Sequence, residues 1–460
     1  MSRGKQLTIF ILFFLLFAIF TKTETYSWND ASRMATIQSL VEQFSFVIDK
    51  STFIETGDKY FYNNHFYSDK PPILSMYGAL YYFVLKNLFN ISFATTPRLA
   101  YYLVTLLTIG VLTCVGLIYF HKILVEFFEI DQEWADLTTF IVGTGTLVLP
   151  YSIVLNNHIV SGVLLLISFY YLLKSKNNKI LNVALSGFLV SLAGSVDLNC
   201  FLFIPFAVIF FSFTQSIKSG LIFLVSCVPL ILCFLGLNFY TSGSIIPPAM
   251  NQVLWDYPGS SFNQENLSGL ATHKGILGIL IYTFHIIFGN RGLISHTPIL
   301  LFSIFAIFLI FRNNYFPYKK EYLYILGASC AFILLYTLKS VNYSGFSFGV
   351  RWFASVMFML CLPLAHIKSK IKSSRLLKIL FIGLIVVSIL FSLIGTYNPF
   401  TPDYLTDAQR YFNPPNTLRI NIRFILRQST NMYKASLIFS AGIIYFILYK
   451  LLQRSNLMRS

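Results

Sequence analysis

The feature that most constrains this chain is an alternation: long apolar runs, one after another, separated by short segments that hold most of the lysines and arginines. A helix of ~20 apolar residues spans the hydrocarbon core of a bilayer. Lipid offers no partners to backbone N–H and C=O groups, so a crossing segment must satisfy them internally, as a helix does. With 56% hydrophobic and 11% charged residues and a mean hydropathy of +0.67, the chain carries more apolar surface than a soluble core can use. The expected fold is therefore an all-α polytopic membrane protein.

The formal charge of +16 does not point to nucleic acid, because the basic residues fall in clusters between apolar runs, where orientation signals belong. Cys114, Cys200, Cys227, Cys233, Cys330 and Cys361 all lie inside apolar segments without CxxC spacing, which indicates neither a disulfide framework nor a zinc site. The first run, residues 7–20, lacks a small-residue cleavage site after it and reads as a retained first span.

Further candidate spans are 99–121, 136–154, 159–173, 180–196, 198–213, 220–240, 295–311, 322–339, 351–366, 376–396 and 434–452, giving about twelve in all. The segments 174–179, 216–220, 312–321, 366–375 and 453–460 then fall on the same side as Arg3 and Lys5, and the positive-inside rule makes that side cytoplasmic, with both termini. This holds only if two other apolar stretches, 73–90 and 276–289, lie at the interface instead of crossing; Tyr81, Tyr82 and Lys86 in the first and Tyr282, Thr283 and His285 in the second suit that position. The outer face receives a first large loop (22–98), a second (241–294), a short one (340–350) and a third long one (397–433). The whole chain, 1–460, reads as one membrane domain.

The first loop holds the candidate chemistry. In "WNDASR", Asp30 and Arg33 stand three apart at a helix start and share a face, although Asp30 also suits a plain N-terminal cap. At the loop's end, Asp69 and Lys70 are followed by Pro71 and Pro72, and proline is well tolerated in a first helical turn. Two acid-base pairs in one loop, each beside a helix that meets the membrane, suggest a site that handles an anion with a carboxylate nearby.

An acidic-x-x-Arg helix start after the first span, followed by acidic-Lys-Pro-Pro before an aromatic helix, resembles the membrane glycosyltransferases of the C-type fold (GT-C), in particular the aminoarabinose transferases and dolichyl-phosphate-mannose protein mannosyltransferases. Ala31 departs from the pattern, since that family often has a second acid there. "PYSIVLNNHIVSGVLLL" (150–166), "GNRGLISHTPILL" (289–301) and "NYSGFSFGVRWFASVMFMLCLP" (342–363) resemble bacterial members. The resemblance implies transfer of a sugar from a polyprenyl-phosphate donor to a lipid, glycan or protein acceptor at the extracytoplasmic face of a bacterial inner membrane. It implies Asp30 as general base and Arg33 and Lys70 on the leaving phosphate. Asp69 can orient Lys70, assist the base or help hold a divalent metal ion; the sequence does not separate these.

Arg291 and Arg351 sit where a membrane-level cation can meet a phosphate or snorkel to headgroups. His158, at a span's outer end, suits either catalysis or a structural hydrogen bond; His65 is a further site candidate, and His65, His273 and His296 are potential metal ligands, although no ligand spacing supports a metal site. A secondary transporter is the rival class. It calls for ionisable residues near mid-span and a repeat between halves; neither is visible here.

Overall fold

The helices of the computed structural model, which describes all residues except 178, 264–266, 268–272, 274, 404, 406 and 458–460, sort their connections onto two ends of a bundle. At one end the N-terminal ammonium meets Glu126 at 3.3 Å, Lys5 pairs with Asp136, Lys368 meets Asp131 at 2.6 Å and Lys176 meets Glu321 at 2.9 Å. At the other end the Lys22 ammonium donates to the Tyr397 carbonyl at 2.8 Å and the Tyr257 hydroxyl to the Lys59 carbonyl at 3.0 Å. The basic segments thus gather with residues 1–5, and the four loops expected on the outer face gather opposite them.

Among the described residues, seven helices are long and apolar enough to cross a membrane: Arg3–Phe20, Pro97–Phe127, Asn157–Lys174, Ile217–Ser242, Lys319–Lys339, Arg375–Gly395 and Asn431–Arg454. Shorter apolar helices run over Ile180–Val196, Leu198–Thr214, Gly275–Ile287, Leu300–Arg312 and Arg351–His366. The expected span 136–154 is interrupted: Gln132–Thr144 ends at Gly145, and a short helix, Val148–Tyr151, follows. The polytopic helical fold expected from the sequence is the observed one.

The two stretches expected at the interface both begin and end at the loop-rich end. Pro72–Phe89 starts beside Lys70 and is followed by Phe93, whose ring packs on Phe53 and Tyr82, centroids 5.1 and 4.3 Å away. It exposes Met76, Leu80, Phe83, Val84 and Leu88, an apolar face at helical spacing that suits lipid. Before Gly275–Ile287, His273 bonds the Thr337 carbonyl at 2.7 Å; after it, Asn290 donates to the Pro414 carbonyl at 2.8 Å.

Small residues let the helices approach closely, as is usual between membrane helices. A Cβ on Gly187 would stand 2.4 Å from the Phe223 carbonyl oxygen, and one on Gly162 would stand 2.9 Å from that of Ala354. Ser168 and Ser186 bond hydroxyl to hydroxyl at 2.9 Å between the helices Asn157–Lys174 and Ile180–Val196.

Among the described residues, strands depart from the all-helical pattern in one place, a hairpin of Lys59–Tyr62 and Lys59's facing strand His65–Ser68. Asn63 and Asn64 both have positive φ, 48° and 63°. Two consecutive left-handed residues make the tight turn whose twist matches paired strands, and Asn tolerates that conformation.

Candidate active site

The helix Trp28–Glu42 sets one wall. Ser27 and Asp30 form a reciprocal capping box at its start. Asp30 accepts from the Tyr26 amide (2.9 Å), the Ser27 amide (2.8 Å) and hydroxyl (2.9 Å), the Ala31 amide (3.1 Å) and the Tyr101 hydroxyl (2.7 Å). Burial pushes its carboxyl above the usual range, while the Tyr101, Tyr26 and Ser27 donors pull it back. Five donors occupy both oxygens, and Asp30 does not line the adjoining cavity. Asp30 is thus the N3 member of the capping box, held apart from the cavity-lining groups expected beside it.

Arg33, one turn on, does face the cavity. Its Nη1 donates to the Asn29 carbonyl (3.0 Å) and Oδ1 (2.5 Å), its Nη2 donates to Asn157 Oδ1 (2.8 Å), and its Nε is buried without a partner. All these partners are neutral. Burial lowers its pKa to about 10, with Asp69, Asp58 and Asp197 near enough to oppose the shift and Arg351 near enough to add to it. The guanidinium remains charged at neutral pH.

The hairpin builds the next part. Lys59 faces Ser68, so Asp58 and Asp69 emerge side by side at its open end, and the Ser32 hydroxyl fastens that end to the helix Trp28–Glu42 through the Asp58 carbonyl (2.5 Å) and the Ser68 hydroxyl (2.6 Å). Lys70 Nζ lies between the two carboxylates, 2.7 Å from each. Asp69 Oδ1 is buried and unpartnered. Burial raises the Asp69 pKa; Lys70 opposes this and Asp58 reinforces it. Lys70 is thus already neutralised, and its observed contacts orient the acids.

The opposite wall comes from span ends. Asn156 caps the helix that begins at Asn157 and so fixes Asn157 and His158 in its first turn. His158 Nδ1 lies 2.8 Å from Asp197, which also accepts from the Ser355 hydroxyl at 2.7 Å. Arg351 enters just before the helix Ala354–Cys361. Its Nε is buried and unpartnered, its guanidinium stands 5.5 Å from the Phe400 ring centroid, and it has no carboxylate partner among the described residues.

These groups line a cavity of about 580 Å³ at the loop-rich end, within the ~300–1,000 Å³ of small-molecule sites. Aromatic side chains including Trp255, Phe262, Tyr336 and Trp352 form much of the remaining wall, and Phe234 and Leu335 extend it with apolar surface.

Besides Asp30, two expected site residues lie elsewhere. Arg291 is fully buried, 2.7 Å from Asp403, and donates to the Ser347 carbonyl at 2.6 Å; Asp403 also pairs with Arg410 at 2.7 Å. Burial lowers the Arg291 pKa to about 10. A cation with these partners is a structural clamp between loops, not a group open to a phosphate. Breaking such a pair typically costs about 3–5 kcal/mol. Asp403→Ala should therefore lower the thermal unfolding midpoint in detergent and leave activity per folded molecule unchanged; an unchanged midpoint with lost activity would put Arg291 in the chemistry. His65, at the hairpin turn, bonds Asp49 at 2.7 Å and is exposed outside the cavity.

As placed, the paired carboxylates of the cavity are bridged by an ammonium and not open to a divalent metal. No group of three or more His, Cys, Asp or Glu gathers among the described residues, and Lys70 Nζ takes the position between Asp58 and Asp69. Asp58 and Asp197 are not among the residues that the sequence pattern singles out. An acid at the junction of two apolar runs is itself a signal at membrane depth, and "KYFYNNHFYS" carries the turn chemistry that brings Asp58 to Asp69.

No protein-family model and no curated protein matches the sequence. Among solved structures, the chain is similar to the apo oligosaccharyltransferase of Archaeoglobus fulgidus, with 15% identity, a TM-score of 0.46 and coverage of 94% of this chain and 59% of that one. It is similar to ArnT from Cupriavidus metallidurans bound to undecaprenyl phosphate, with 11% identity, a TM-score of 0.49 and coverage of 100% and 79%. A third is the archaeal oligosaccharyltransferase AglB from Archaeoglobus fulgidus in complex with an inhibitory peptide and a dolichol-phosphate, with 14% identity, a TM-score of 0.46 and coverage of 94% and 59%. The chain thus spans 59% of the length of each oligosaccharyltransferase. What its own helices establish is a multi-pass membrane protein, and a cavity lined by charged and aromatic side chains lies among its loops.

Proposed function

We propose that the chain is a membrane glycosyltransferase that moves a sugar from a polyprenyl-phosphate donor to an acceptor hydroxyl, with Asp69 as general base and Arg33 and Arg351 on the donor phosphate. One observation carries this reading: two guanidinium groups without carboxylate partners among the described residues share a cavity with a buried carboxylate that has an unpartnered oxygen. The acceptor oxygen attacks the anomeric carbon, its proton passes to Asp69, and the bond from that carbon to the phosphate oxygen breaks. The departing phosphate gains negative charge that Arg33 and Arg351 stabilise more than they stabilise the bound donor. The apolar wall offers a surface for the first isoprene units. Lys70 acts by holding Asp58 and Asp69 together.

The test is release of polyprenyl phosphate by the purified full chain from a panel of polyprenyl-phosphate-linked sugars. Release above the Asp69→Asn background supports the reading, and its absence across the panel together with unaltered donors overturns it. A pH profile adds a sign. A base must be deprotonated to act, and the Asp69 pKa is raised, so kcat/KM should fall on acidification at a pH above the ordinary carboxylate range. A profile flat down to that range would remove Asp69 from the role.

The orientation belongs to the same proposal: termini in the cytoplasm of a bacterial cell and the cavity opening outside the inner membrane. Reporter fusions within 397–433 should be active outside the cytoplasm, whereas fusions to the C-terminal tail should not.

A further inference from the structure

The helix Thr417–Arg427 packs one face on the bundle. Thr417, Leu418 and Asn421 are buried, Thr417 bonds His296 at 2.8 Å, and the Asn421 amide donates to the Ile394 (3.3 Å) and Asn398 (3.0 Å) carbonyls. The opposite face carries Arg419, Arg423 and Arg427, four residues apart and all exposed. Like charges at this spacing repel. No acid occurs anywhere from residue 408 to 460, and none of the three forms an ion pair among the described residues. The row also stands at the loop-rich end, away from the clusters that the positive-inside rule explains.

The surroundings identify what neutralises it. Beside the arginines, Ile422 and Leu426 are 40% and 69% exposed. Thr430 caps the span Asn431–Arg454 immediately afterwards, and that span exposes Met432, Ile438 and Phe439 at 81%, 72% and 67%. This exposed apolar surface adjoins, in sequence, that of a candidate span, which suits a helix at headgroup depth with its guanidinium groups beside the phosphates. Guanidinium pairs with phosphate through two parallel hydrogen bonds.

We propose that Arg419, Arg423 and Arg427 form a docking face for the phosphate groups of anionic phospholipids in the leaflet at the loop-rich end. This is independent of the transferase reading. The probes are phosphatidylglycerol and phosphatidylcholine, added to the full chain in detergent and counted as bound lipids by native mass spectrometry. Wild type should retain phosphatidylglycerol in preference to phosphatidylcholine, and R419Q/R423Q/R427Q should lose roughly tenfold or more of that affinity. The charge-preserving R419K/R423K/R427K should keep most of it. If the triple glutamine variant does not fold, R423Q alone should show a smaller loss in the same direction. Equal retention of the two lipids by wild type, or unchanged retention in the glutamine variants, overturns the proposal.

Discussion

Asp69→Asn is expected to reduce turnover by about 10²–10⁴, the usual contribution of a positioned general base, while the chain folds and inserts as before. Asn keeps the shape of the side chain and can still accept from Lys70, which stays paired with Asp58 at 2.7 Å. What it loses is the ability to take a proton at Oδ1, the buried oxygen without a partner. The matched control is Asp30→Asn. There the loss is a cap, typically ~1 kcal/mol of helix stability, because five donors already hold that carboxylate outside the cavity. A lower unfolding midpoint with retained turnover is expected. If Asp30→Asn abolishes transfer in folded protein and Asp69→Asn does not, the assignment of the base is reversed.

These two acids show where sequence reasoning holds and where it stops. Spans and loops are legible because hydrophobicity and basic clusters act over twenty residues at a time, so they survive an error of a few positions at each boundary. The opening pair Asp30–Arg33 was legible as one helix start, but three residues of separation brought only Arg33 to the cavity. Whether a carboxylate caps a helix or serves a substrate depends on what surrounds it, and Tyr101 reaches Asp30 from 71 residues away. The surroundings of Arg291 are illegible for the same reason: its partner Asp403 is 112 residues distant. Asp58 is different, because the hairpin that carries it is a local structure. Alternation around Asn63-Asn64 would have placed Asp58 opposite Asp69 without any tertiary information.

Arg351→Gln should be nearly as damaging, with a loss of about 10²–10³ in kcat/KM for the donor, the range seen when one transition-state donor is removed. Arg351 makes the cleaner test of phosphate handling than Arg33. Arg33 ties Asn29 to Asn157, so its removal also loosens two elements. Arg351 has no carboxylate partner among the described residues and contacts the Phe400 ring, so its charge is committed to nothing else nearby. If it acts on the departing phosphate, kcat falls more than KM rises, because the interaction strengthens as charge develops. Arg351→Lys should recover part of the rate but not all of it, since an ammonium restores the charge and not the two-pronged geometry. A variant with unchanged kcat and KM for the prenyl-phosphate sugar would leave Arg33 as the sole phosphate ligand proposed and would remove the two-guanidinium arrangement on which the reading rests.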